Sequence, residues 1–266
     1  MLFALLTAHV VTDFVLQPDW MAAAKKRHGW ALLLHAAITG LGSLAVAWLY
    51  WPQLWGPSFV LAVTHLAVDW AKLRVDERLK RGALEKFLAD QLAHILFIAG
   101  VPMAFGLMKD NTLAGFLQAT LKDRNPILVC VFAYSMSVFF GYVLLKILCP
   151  DPSAADSKAS GRPPKTLSEI PVADAWREAC VGGWHWDASL RGFRTSSKYI
   201  GMLERGLITT CAALGQFLPI AIIVAPRALL RNSRSQDATA RWRLGLETLV
   251  NIVLATSTGL LLRALV

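Results

Sequence analysis

The sequence predicts an all-α fold: a polytopic transmembrane helix bundle of about six to eight membrane helices, with a cytoplasmic linker. Three observations predict it. The chain is 55% hydrophobic and only 17% charged, with a mean hydropathy of +0.47. A soluble domain runs at about 45–50% apolar and about 25% charged. Stretches without Asp, Glu, Lys or Arg cover 30–57, 92–108, 126–145, 206–225 and 248–262, and several approach the roughly 20 residues that cross a hydrocarbon core. Trp20, Trp30, Trp51, Trp55 and Trp70 fall near predicted helix ends, where an interfacial aromatic belt places them.

The first helix is expected over about Leu2–Gln17, stopped by Pro18. No basic residue precedes "LFALL", and "KKRH" (25–28) follows it, so it reads as an uncleaved helix and not a secretory signal. "AAAKKRHG" reads as a short basic turn before a second helix, about Trp30–Trp51. "PQLWGP" turns the chain into a third, about Pro57–Leu73. The charged stretch "KLRVDERLKRGALEK" leads into a fourth, about Leu84–Met108. An amphipathic piece, "NTLAGFLQATLK", separates it from a fifth, about Pro126–Leu148. These elements make an N-terminal bundle, residues 1–149.

Composition then shifts. "CPDPSAADSKASGRPPKT" is rich in Pro, Ser, Ala and Gly and marks a flexible linker over 150–170. Residues 171–198 read as a soluble or interfacial segment, and 199–266 as C-terminal membrane helices, about Tyr199–Leu230 and Arg243–Leu265. Pro219 is positioned to break the former. Glu204 and Arg205 are expected near a membrane surface, because adjacent helical residues point about 100° apart and do not aim at one site.

The net charge of +9 does not require nucleic acid, because inner-membrane proteins collect Lys and Arg in cytoplasmic loops. "KKRH" and the 72–86 stretch both follow odd-numbered helices. Both loops and the linker are therefore expected in the cytoplasm. Strict alternation leaves "PRALLRNSRSQDATARWR" outside, against the same rule. Cys130, Cys149, Cys180 and Cys211 show neither paired metal spacing nor a disulfide framework.

The chemistry sits in three helical pairs. His9 and Asp13 are four residues apart, as are His65 and Asp69 in "THLAVDWAK" and Asp90 and His94 in "LADQLAHI". "LLLHAAIT" adds His35. Residues at i and i+4 share one helix face, and alternating helix directions put all seven in one layer near the cytoplasmic side. An ionisable group within a membrane helix costs on the order of 2.5–3.5 kcal/mol, so seven of them demand an offset. Imidazole and carboxylate together suit zinc, manganese or iron, as one ion or two. His9, Asp13, His35, His65, Asp69, Asp90 and His94 are the candidate metal ligands. Asp90 and Asp13 are the candidate catalytic groups, and Asp90 is read either as ligand or as general base. Gln17 and Gln91 are candidate orienting partners. Lys72 is either a snorkelling interfacial lysine or an anchor for a substrate anion. His28 and His185 read as surface or loop residues.

In order, "HVVTDFVLQPDWMAAAK", "LLLHAAIT", "THLAVDWAK" and "LADQLAHI" resemble the hallmark blocks of the domain-of-unknown-function 3307 family of bacterial membrane proteins. "KYIGMLERGLITTCAALGQFLPIAIIVAPRALLR" resembles its C-terminal block, whereas "RWRLGLETLVNIV" departs from the pattern of its last helix. The resemblance implies a multi-pass protein of the bacterial inner (plasma) membrane and supplies no reaction. A remoter likeness, in residue type alone, is to metal-dependent hydrolases of the membrane.

Two readings follow. One is a metal-dependent hydrolase acting at the cytoplasmic leaflet on a lipid-borne or phosphoester substrate. The other is an ion- or proton-conducting protein, or a non-enzymatic membrane partner of a cytosolic complex engaged through 150–198. Membrane lipid is an expected partner in either case, and nucleic acid in neither.

Overall fold

The computed structural model describes residues 1–76, 82–107, 115, 125–149, 190–225 and 238–266, with backbone alone at 76, 190–198 and 238–244. Every regular element among them is helical. The expected linker, Cys180, His185 and most of the 111–122 piece lie outside the described residues.

Helix α1 spans Leu2–Val10 and continues through a π-type turn, Val11–Val15, in which Leu16 N–H donates to Val11 O at 2.9 Å. Pro18 ends the run as expected, but also caps a short helix, α2 (Asp19–Ala24), where a plain turn was expected. Helix α3 covers Gly29–Tyr50, and a single 3-10 turn, Pro52–Leu54, leads into α4, Trp55–Asp76. Helix α5, Ala83–Ala104, stops before the expected Met108. Gly106 takes φ +67° there, the left-handed closure that glycine makes without a Cβ clash. Helix α6 runs over Pro126–Leu148 as predicted, through a second π-type segment, Ser135–Phe140. It opens on Pro126, with Asn125 Oδ1 accepting from Ile127 N–H at 2.9 Å.

Helix α7 spans Leu190–Ala213 and α8 spans Ala238–Leu265. The helix expected over Tyr199–Leu230 is therefore interrupted. The break falls at Gly215, φ +73°, and Pro219 lies in the first turn of a new helical stretch, 218–225. Proline is tolerated there because the first N–H groups of a helix have no intrahelical acceptor.

α3, α5, α6 and α8 (over Gly245–Leu265) are long and apolar enough to cross a membrane, and Leu2–Val15 is a shorter apolar helix. Trp48 and Phe59 are 78% and 70% exposed, as suits surfaces solvated by lipid. α3 packs on α4, α4 on α5, and α1 against α3, α5 and α6. Two glycines of α3 set the spacing: a Cβ on Gly40 would meet Ala62 Cβ at 2.9 Å, and one on Gly42 would meet Thr12 Cγ2 at 2.7 Å. Small residues at such crossings are the membrane substitute for hydrophobic driving force. At one end the bundle is filled by Leu5, Val46, Ala47, Leu54, Leu61, Ile98 and Val101. The ionisable layer occupies the other end of the same four helices.

The C-terminal pair α7–α8 docks on α6. Arg205 is 2% exposed within this interface. It donates to Asn251 Oδ1 at 2.9 Å and to Val138 O, in the π-type segment, at 3.0 Å. Ser137 and Tyr134 of α6 bond Thr209 and Thr210 of α7, each at 2.6 Å. Polar groups of α8 and α6 thus take the two terminal nitrogens of the guanidinium, and its Nε is buried without a partner. Among the described residues, Glu204 belongs to none of the metal-capable groups.

Candidate metal centre

The seven predicted residues converge. His9, Asp13, His35, His65, Asp69, Asp90 and His94 are all buried, between 0% and 9% exposed, and come from α1, α3, α4 and α5. Asp13 sits in the π-type turn of α1, a local widening that recurs at functional sites. Its Oδ1 lies 3.2 Å from His35 Nε2, 3.5 Å from His65 Nε2 and 3.8 Å from His9 Nδ1. His35 Nε2 and His65 Nε2 are 3.0 Å apart. Asp69 Oδ2 closes the group, 3.7 Å from His35 Nε2 and 3.9 Å from His65 Nε2. Ligand atoms around a tetrahedral zinc, at 2.0–2.2 Å from it, lie about 3.3–3.6 Å from one another. Asp13 and Asp69 thus each lie at spacings from His35 and His65 close to those of ligands that share one ion.

A second group adjoins it through Asp69. Its Oδ1 faces His94 Nε2 at 3.9 Å, and His94 Nδ1 lies 3.7 Å from Asp90 Oδ1. His94 Nδ1 also lies 2.9 Å from the main-chain oxygen of Asp90. A carbonyl only accepts, so the proton sits on Nδ1 and Nε2 presents its lone pair, the state a metal ligand needs. The His9 ring stacks on His94 at 5.1 Å. Both nitrogens of His9, His94 Nε2, His35 Nδ1, Asp13 Oδ1 and Asp90 Oδ1 are buried without a hydrogen-bond partner. Buried polar atoms are ordinarily satisfied, and six orphans in one cluster fit a cation. A cavity of about 20 Å³, room for about one water, adjoins His9, His65 and His94 between Thr39, Thr64 and Phe97.

Two carboxylates have partners that spacing did not reveal. Asp69 Oδ2 accepts from Lys25 Nζ at 2.6 Å, and Asp90 Oδ2 from Lys72 Nζ at 2.7 Å. Asp69 and Asp90 therefore each face an ammonium group as well as an imidazole. Lys25 belongs to "KKRH", a signal for topology only, until α2 folds it back over the centre. With its amide turned to satisfy both ends, Gln17 accepts from Lys25 Nζ at 2.5 Å and donates to Asp13 O at 3.1 Å. Gln91 donates to Asp90 Oδ2 at 3.2 Å, so both glutamines orient the site. Lys72, with a side chain 34% exposed, is tied to Asp90 and does not merely snorkel. His28 is exposed and stacks on Trp30, as a surface residue.

Fold and site together define a helical membrane protein whose buried His/Asp cluster can hold a metal ion. Residues 1–121 match the family model described as "Protein of unknown function (DUF3307)". All seven site residues and both lysines fall within that match, whereas Arg205 and Asn251 lie beyond it. No curated protein and no solved structure matches the chain.

Proposed function

We propose that the chain is a multi-pass inner-membrane protein, crossing six or more times, and a metal-dependent hydrolase acting at the cytoplasmic leaflet. The observation that carries this reading is the facing pair His35 Nε2 and His65 Nε2, 3.0 Å apart, with Asp13 Oδ1 and Asp69 Oδ2 each 3.2–3.9 Å from both. His94 and His9, with Asp69 Oδ1, supply donors for a second ion. The mixed nitrogen and carboxylate set suits zinc, manganese or iron. Such an ion supplies a water whose pKa falls toward neutrality and a Lewis acid for the ester oxygen.

The side chains do the rest. Lys72 and Gln91 hold Asp90 Oδ2 and leave its Oδ1 as a proton acceptor. The oxygen of water bonds to the carbonyl carbon or phosphorus as the ester bond breaks. The water's proton passes by way of Asp90 to the departing oxygen. The apolar plug below the layer keeps bulk water from the other side.

Metal content of the detergent-purified protein tests the reading. Wild type is expected to retain one or two equivalents of a divalent ion, and His65→Ala is expected to lose them while still inserting. A metal-free wild type with His65→Ala indistinguishable from it defeats the proposal.

A further inference from the structure

We propose that Lys25 and Lys72 are the anion-binding groups of this centre and that its substrate presents a phosphate-type oxyanion. This rests on the metal reading above and extends it to the substrate class. Both ammonium groups already bond carboxylates of the cluster, Asp69 and Asp90. Ligand atoms of those two carboxylates, with His94, lie within 4.8 Å of one another, so both lysines bond carboxylates of one group of ligands. They are also its exposed members: their side chains are 13% and 34% accessible, whereas the seven ligands are buried. The cavity is lined by His9, His65 and His94 with Leu5, Leu61 and Phe97, and by neither lysine. A substrate therefore meets the lysines first.

Charge balance selects its sign. Three carboxylates and two ammonium groups, with neutral imidazoles, leave one net negative charge. One divalent cation turns this to one net positive charge, and two cations to three. Uncompensated charge in a low-dielectric site is costly, so the loaded centre needs an anion. Asp69 Oδ2 engaged by metal gives up part of its hold on Lys25, while Lys72 keeps Asp90 with one of its three N–H donors. The two ammonium groups, as flexible point charges, suit the dispersed oxygens of a phosphate. Lys26 and Arg27, both exposed, continue the basic rim.

The experiment uses the full chain in nanodiscs, apo and loaded with zinc or manganese, titrated calorimetrically with inorganic phosphate. Loaded wild type is expected to bind phosphate at least ~10-fold more tightly than apo protein. Lys25→Met and Lys72→Met are each expected to keep the metal, Lys25→Met at least as tightly as wild type, yet to lose phosphate affinity by ~10-fold or more. Nanodiscs of phosphatidylglycerol compared with phosphatidylcholine identify the source. Loss of phosphate binding only in the anionic lipid assigns a lipid headgroup, and unchanged binding assigns a soluble phosphoester. A loaded wild type with apo-like phosphate affinity, or lysine variants that bind phosphate as wild type does, overturns the lysine assignment alone. A wild type that takes up no metal overturns both readings.

Discussion

Asp13 Oδ1 approaches His35 Nε2 of another helix to 3.2 Å, but stays 3.8 Å from Nδ1 of His9, its neighbour one turn back on α1. The pair that spacing advertises is thus not the tightest pair. The i,i+4 rule places both side chains on one face, and the face is then shared with whatever helix packs there. Asp13 becomes the meeting point of three imidazoles, from α1, α3 and α4.

Asp13→Asn is therefore expected to be the most damaging isosteric change in the centre. It keeps the shape but removes the charge facing His9, His35 and His65. Metal affinity should fall by more than the 10–100-fold that loss of an outer partner typically costs. Metal titration of the purified variant checks this, and an affinity within about threefold of wild type contradicts it.

Gly42 controls the position of that residue from α3. A Cβ there would lie 2.7 Å from Thr12 Cγ2, pushing on the π-type turn that carries Asp13. Gly42→Ala is expected to cost about 1–3 kcal/mol of stability, as overpacking does, and to weaken metal binding. Thr12→Ser removes the offending methyl and keeps the hydroxyl that donates to His9 O. The double variant should recover most of both losses. If it is no better than Gly42→Ala alone, the contact is not the cause.

Arg205 gives an ordered pair of expectations for the C-terminal helices. Arg205→Met removes the charge along with its bonds to Asn251 and Val138, and is expected to cost about 1–3 kcal/mol. Asn251→Leu leaves the buried guanidinium short of an acceptor and should cost more, about 3–5 kcal/mol. Thermal unfolding in detergent measures both. The reverse order shows that Asn251 does not satisfy Arg205. Neither change should alter metal content, because both lie outside the four helices of the centre.

Topology is open to a direct check. The Pro150–Thr166 segment is expected in the cytoplasm, from its composition and from the basic loops before it. A reporter fused at Ser157 should be active there, and activity only in the periplasm contradicts the orientation.

The sequence by itself determined the helical class, the apolar runs of α3, α5, α6 and α8, and the seven clustered residues. Each depends on local information: a charge-free run long enough to cross lipid, or a four-residue spacing that a helix converts into one face. The alternation of helix direction then sufficed to bring His9, His35, His65 and His94 to one level. Other features were decided only by tertiary structure. Nothing near Lys25 in the sequence names Asp69, 44 residues away, and the partner appears only once α2 folds back. Likewise, Arg205 is buried because Val138 and Asn251, 67 and 46 residues distant, offer oxygens across two helix contacts. Pro219 looked like the breaker, yet the turn formed at Gly215, where a Cβ would collide with the Arg263 guanidinium of α8. Periodicity assigns a side chain to a face, but the partner on that face comes from a distant segment. Only packing selects it, by offering the lower cost for a buried charge.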